Sequence, residues 1–177
     1  MSELSGEVAA DRGVIRIIKL TIHKRGVVMS TTREMLDIKG DEVWSIRASQ
    51  SVYEAVALMA SKEVGALMVV NDRARLVGII SERDYARKVI LKNKSSRDTL
   101  VADIMTRNVI YVGPSTNADT CMSLMSQNKI RHLPVVEDGI PLGMITVADL
   151  LKFIIQDQEM TIEELQSYIL GETGGEG

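Results

Sequence analysis

Apolar and polar positions alternate along this chain in blocks, and the same blocks occur twice. A short apolar run at Val43–Ile46 predicts a strand. Ser51–Lys62 follows, with Val52, Ala55, Val56 and Met59 at helical spacing, which predicts a helix with one apolar face. Two unbroken apolar runs, Ala66–Val70 and Leu76–Ile80, flank the polar Asn71–Arg75 and predict a hairpin buried under helices. Ser81–Leu91 predicts a second helix. The second pass reads Val109–Val112 (strand), Asn117–Asn128 (helix), Leu133–Val136 with Pro141–Ile145 (hairpin) and Thr146–Gln156 (helix). The predicted order is β-α-β-β-α, twice.

The repetition holds residue by residue. Val77-Gly-Ile-Ile-Ser-Glu-Arg-Asp84 returns as Leu142-Gly-Met-Ile-Thr-Val-Ala-Asp149, at an offset of 65. Upstream the offset is 66, as in Met59 with Met125 and Val43–Ile46 with Val109–Val112. The difference falls in the hairpin loop, which in the second copy contains Asp138-Gly139, a strong two-residue turn signal. A hairpin tip is where a duplication tolerates an insertion. The fold class predicted is therefore α/β, or α+β, with two similar units packed as a pseudo-twofold pair. One unit of roughly 60 residues is marginal alone, so the pair is the natural stable form.

Between the units lies a polar linker, Lys92–Asp98, then a short helical turn at Val101–Met105. The expected divisions are an N-terminal extension over 1–35, unit one with its linker over 36–98, unit two over 99–157, and a C-terminal helix and tail over 158–177. Thr161-Ile-Glu-Glu164 is a capping box that opens an amphipathic helix over Thr161–Leu170, suited to docking on the pair or on a second subunit. Gly13–Val28 is apolar and basic. It reads as an added strand, a weak targeting segment, or upstream translation before a start at Met29.

Composition narrows the picture. Hydrophobic residues make up 45% of the 177, aromatics only 3%, and there are 10 methionines, so the core is aliphatic. A net charge of −3 makes nucleic acid an unlikely partner. No run of about 18 apolar residues is present to span a membrane. One cysteine, Cys121, forms no intrachain disulfide and suits a reducing, cytoplasmic interior. It falls on an apolar helix face with no base paired to it. With two histidines, His23 and His132, no zinc site is expected.

The recurring Gly-x-x-Ser/Thr-x-x-Asp carries two readings. Ser81 and Thr146 end a strand and begin a helix, with Asp84 and Asp149 three residues on, which is an N-capping arrangement. The same geometry suits a nucleotide. A helix N-terminus favours phosphate, a hydroxyl donates to it, and a carboxylate one turn in accepts from ribose hydroxyls. The base needs an apolar slot, for which Ile46 and Ile110 on the first strands are candidates. An aspartate fully engaged in capping is not free for ribose.

These residues resemble CBS (cystathionine-beta-synthase-type) repeats. The resemblance rests on the β-α-β-β-α order, Gly78-Ile-Ile-Ser81-Glu-Arg83-Asp84, Gly143-Met-Ile-Thr146-Val-Ala-Asp149, Ser49–Met59 and Arg131-His132-Leu133-Pro134-Val135. It runs from about Thr32 to Leu170 and is nearest to small stand-alone CBS pairs (Bateman modules). The resemblance implies that Ser81 and Thr146 contact phosphate or ribose and that Asp84 and Asp149 hold the ribose. It implies AMP, ADP, ATP, NAD or an S-adenosyl compound as ligand, and a homodimer; with no nucleophile–base pair and no metal cluster in the sequence, no catalytic residues or required cofactor are expected. It also keeps open a scaffold that regulates a protein partner such as a redox protein.

Among basic residues, Arg83 and Lys88 lie on the second helix of unit one, and Arg131 and His132 precede Pro134. If they converge, they form a phosphate pocket suited to a diphosphate, triphosphate or dinucleotide. Arg87 reads equally as a solvated charge, and His132 equally as structural. The second copy has Ala148 where the first has Arg83, so the two sites are expected to differ.

Overall fold

The computed structural model describes residues 31–40 and 42–155. The N-terminal segment Gly13–Val28, the helix expected over Thr161–Leu170 and Gln156 lie outside the described residues.

Helix α1 (Thr32–Lys39) comes first, then β1 (Ser45–Arg47), α2 (Val52–Lys62), β2 (Ala66–Val70), β3 (Leu76–Ser81) and α3 (Glu82–Lys88). A single 3-10 turn (Ile90–Lys92) ends the first repeat. The second contains α4 (Val101–Ile104), α5 (Ala118–Asn128), β4 (His132–Glu137) and β5 (Ile140–Thr146). Its last helix, α6, occupies residues 147–155 at the end of the described chain.

In the first repeat β1 pairs parallel with β2, and β2 pairs antiparallel with β3. In the second, β4 and β5 form the corresponding hairpin, with Asp138 and Gly139 at φ 50° and 82° in the tight turn. Two expectations change. Val109–Val112 does not form a strand of its own; only Val112 bridges, parallel to Val135. The cause lies just upstream, where Thr106 exchanges both backbone hydrogen bonds with Ile79 of β3 at 2.8 and 3.0 Å. The chain therefore starts on the first repeat's sheet edge and reaches the second only at Val112. The helix expected over Ser81–Leu91 stops at Lys88 and tightens into the 3-10 turn, leaving Ile90 and Leu91 exposed.

Chain order and packing diverge at two helices. Val101, Ile104 and Met105 of the α4 region, which precedes the second repeat, bury themselves in the core of the first with Val52, Met59, Leu67 and Ile80. Met35 and Leu36 of α1, at the start of the first repeat, enter the core of the second with Leu124, Leu133, Val135 and Ile145. This reciprocal exchange is what a pseudo-twofold pair produces. Its packing explains the repeated glycines. A Cβ on Gly78 would lie 2.6 Å from Met105 Sδ, and one on Gly143 2.6 Å from Leu36 Cδ2. A third cluster joins the sheets through Met68, Leu76, Val109 and Val136. The hairpin tips lock as well, with Leu76 N–H donating to Gly139 O at 3.0 Å.

Helix α1 adds to the elements expected from the sequence. Its signal was present: Thr31-Thr-Arg-Glu34 is a capping box, and both reciprocal bonds form.

Candidate functional site

β3 delivers Ser81 to the start of α3 because its alternating burial ends there and the chain must turn into a helix. The Ser81 hydroxyl donates to Asp84 Oδ2 at 2.7 Å and accepts the Asp84 N–H at 3.3 Å. Ser81 N–H donates to the same carboxylate oxygen at 3.0 Å. The second copy reproduces this. Thr146 Oγ1 donates to Asp149 Oδ2 at 2.7 Å and accepts the Asp149 N–H at 3.3 Å, and Thr146 N–H donates at 2.8 Å. Both aspartates thus cap their helices, and the box is not peculiar to these positions, since Ser51 and Glu54 form it on α2.

Capping does not exhaust the carboxylates. Each has about four lone-pair sites. Asp84 spends Oδ2 on the cap and one site of Oδ1 on Lys88 Nζ, 2.7 Å away. Lys88 also donates to Ile104 O at 2.6 Å. Asp149 takes the cap and Lys39 Nζ (2.7 Å) on Oδ2, so among the described residues its Oδ1 has no partner. Burial alone would raise the Asp149 pKa. The bonds from Lys39 and Thr146 outweigh it and hold the carboxyl below its ordinary value.

Ser81, Arg83 and Asp84 face a cleft of about 330 Å³ whose opposite wall comes from the second repeat. Ile110, Arg131 and His132 line that wall, so six of the residues singled out in the sequence meet here. Lys88 does not line the cleft; it pairs with Asp84, which does. Thr146 and Asp149 form the second box and do not line this cleft, although Thr146 pairs across the hairpin with His132. Ile46 does not line the cleft; it is buried in the first repeat's core opposite Val69. Pro134 is buried in β4, its carbonyl accepting from Val112 N–H at 3.0 Å.

Lys129 also lines the cleft, and sequence reasoning missed it. It closes α5 in the left-handed conformation, at φ 54°, and its one sequence signal was the alternation Lys129-Ile-Arg131. Arg83, Lys129 and Arg131 make no ion pair among the described residues, so three cations face the cleft uncommitted. His132 stands between the two boxes. A Cβ on Gly65 would lie 3.7 Å from its Nε2 and 3.4 Å from Glu82 Oε2. Burial and the charges of Lys39 and Arg131 lower its pKa, against the pull of Glu82 and Asp149. Cys121 is fully buried, and burial pushes its thiol up to about 12, which removes it as a nucleophile.

The family model for the CBS domain matches residues 36–91 and again 101–156. This chain belongs to the CBS domain family. CBS pairs are regulatory modules. The mitochondrial CBS domain-containing protein CBSX3 of Arabidopsis thaliana is 36% identical over 85% of this chain and 77% of that protein. A second Arabidopsis relative, CBSCBSPB5, is 37% identical, and the chain spans only 21% of its length. Among solved structures, a CBS-domain protein from Burkholderia ambifaria MC40-6 is 44% identical, with TM-score 0.68 over 73% of this chain and 96% of that one. The CBS domain pair of protein MJ0100, in complex with 5'-methylthioadenosine and S-adenosyl-L-methionine, is 27% identical, with TM-score 0.64 over 71% and 96%. Among the described residues no helix is long and apolar enough to cross a membrane.

Proposed function

We propose that this CBS pair is a non-catalytic regulatory module that binds an adenine nucleotide between its repeats. One observation carries the reading: Ser81 and Asp84 of one repeat face Arg131, Lys129 and His132 of the other across a single cleft. A ligand there touches both repeats and favours whichever packing it fits best, which is how binding becomes a signal. Asp84 keeps a lone-pair site for a ribose hydroxyl, and Ile110 offers an apolar surface for the base. Three uncommitted cations suit two or more phosphates, so ADP, ATP or NAD is favoured over AMP. The adenosine-based ligands of the MJ0100 pair support the same class. In the cell we take the chain to be cytoplasmic and a homodimer that regulates a protein partner.

Isothermal titration of the full chain with AMP, ADP, ATP and NAD tests this. The expected order is ATP, ADP or NAD above AMP, with Asp84→Ala weakening the first cleft. Folded protein that binds none of the four ends the nucleotide reading.

A scaffold reading has its own support: both aspartates are occupied as caps, as Glu54 is on a helix that does not start at the cleft. On that reading the pair serves dimerisation and binding of a partner such as a redox protein, without ligand. It predicts no heat with any nucleotide and an unchanged oligomeric state in their presence.

A further inference from the structure

The second box carries a cation that its own repeat does not encode. Val147 and Ala148 stand where the first copy has Glu82 and Arg83, and Phe153 stands where it has Lys88. The one basic side chain on the first two turns of α6, Lys152, does not pair with Asp149. Lys39, the last residue of α1, does, with Nζ 2.7 Å from Asp149 Oδ2 and 2.9 Å from Met144 O. The lysine is delivered by an anchored helix. Thr32 N–H donates to Thr116 O at 2.7 Å, Arg33 N–H to Pro114 O at 3.0 Å, and Thr32 Oγ1 to Gly113 O at 2.7 Å. Leu36 packs against Gly143, in the strand that ends at Thr146. Because Lys39 binds the oxygen already used by the cap, Oδ1 of Asp149 is left open on the other side of the carboxylate.

We propose that Lys39 is a positioning residue of a second nucleotide site: it neutralises Asp149 and holds its open oxygen toward a ribose, so the Thr146/Asp149 box binds only with α1 in place. The proposal rests on the nucleotide reading above. Its physical basis is charge balance. An uncompensated carboxylate beside a helix N-terminus repels the phosphates that the helix would attract. In the first copy Lys88 supplies that compensation from the same helix as Asp84; in the second it comes from outside the repeat.

The experiment is calorimetric titration of ATP into the full chain and into Lys39→Met, Lys39→Arg, Asp149→Asn and the Lys39→Met/Asp149→Asn pair, with thermal melts confirming each is folded. The native chain should take up two ATP. Lys39→Met should weaken one site about tenfold, the size of one charge-assisted hydrogen bond, and leave the other unchanged. Lys39→Arg should recover most of that loss. In the Asp149→Asn background, where no charge remains to balance, Lys39→Met should cost little more. A role in docking α1 alone predicts the same cost in both backgrounds, and that result overturns the proposal. So does a native stoichiometry of one, or a Lys39→Met chain with both sites at native affinity. Absence of any ATP binding by the native chain strikes the underlying nucleotide reading instead, and the two failures are told apart by the native titration.

Discussion

At the first box Lys88 reaches Asp84 from one turn further along the same helix, while at the second Lys39 reaches Asp149 across 110 residues of sequence. The hydroxyl, the aspartate and the cap bonds agree to within 0.2 Å between the two copies. What differs is the origin of the charge around them. The first cleft gathers Arg83 from one repeat and Lys129 and Arg131 from the other. The second box draws on α1, whose last residues open the first repeat. Duplication therefore copied the short-range parts faithfully, while the long-range parts drifted apart. Each site is built by both halves of the chain, so a change in one repeat alters the site that the other begins.

Charge reversal in the first cleft should separate the two boxes most strongly. Arg83→Glu combined with Arg131→Glu should lower ATP affinity at the first cleft by at least about a hundredfold, since charge-assisted bonds to phosphate contribute roughly 1.5–3 kcal/mol each. The Thr146/Asp149 site should keep its affinity in the same titration. Equal losses at both sites would mean that the two share their cations.

A smaller effect separates the repeats through their packing. Gly78→Ala and Gly143→Ala both force a methyl into an occupied space, a change that costs about 1–3 kcal/mol. The Gly78 variant should lose more. Its methyl meets Met105 Sδ at 2.6 Å and also the Thr106 backbone carbonyl at 3.2 Å, whereas Gly143 is opposed by the Leu36 side chain, at 2.6 Å and beyond. Denaturant unfolding of the two variants gives the order directly, and a greater loss at Gly143 would reverse the assignment of the stiffer contact.

Smaller again are the caps. Ser81→Ala and Thr146→Ala should each cost about 1 kcal/mol by urea midpoint, and to similar extents, because the local geometry is the same. Unequal losses would show that the local parts have diverged too.

The smallest expected effect is the pH response of His132, which stands between the boxes. Its pKa in the folded chain lies below the ordinary 6.5. The unfolded chain therefore takes up this proton first as pH falls. Stability from this group is complete above about 6.5 and declines as pH drops from there through the folded value. His132→Gln should remove that part of the acid slope in melts compared at pH above and below 6.5. An NMR titration midpoint at or above 6.5 in the native chain would contradict the buried environment described for it.

The repeat order, both hairpins, the Asp138-Gly139 turn and the capping positions were legible in the sequence. Each depends on residues a few positions apart, whose spacing alone fixes whether they share a face or close a turn. The capping box of α1 was legible by the same rule, even though the helix itself was not foreseen. Three features had no such local signal. Val109–Val112 has the apolar pattern of a strand, yet Thr106 is held on the opposite sheet edge, and the segment spends its length crossing between sheets. Ile46 has the apolar character expected of a base slot, yet its side of β1 turns into the core. Lys129 and Lys39 look like ordinary surface lysines in sequence, and one lines the cleft while the other balances Asp149.

Two copies of one unit, with their caps and turns, can be read from residue spacing, because periodicity and short-range hydrogen bonding decide those. Which helix completes which core, and which cation meets which carboxylate, emerges in the folded molecule alone. Those outcomes depend on how the two repeats dock, and docking brings together residues whose separation along the chain carries no periodic signature.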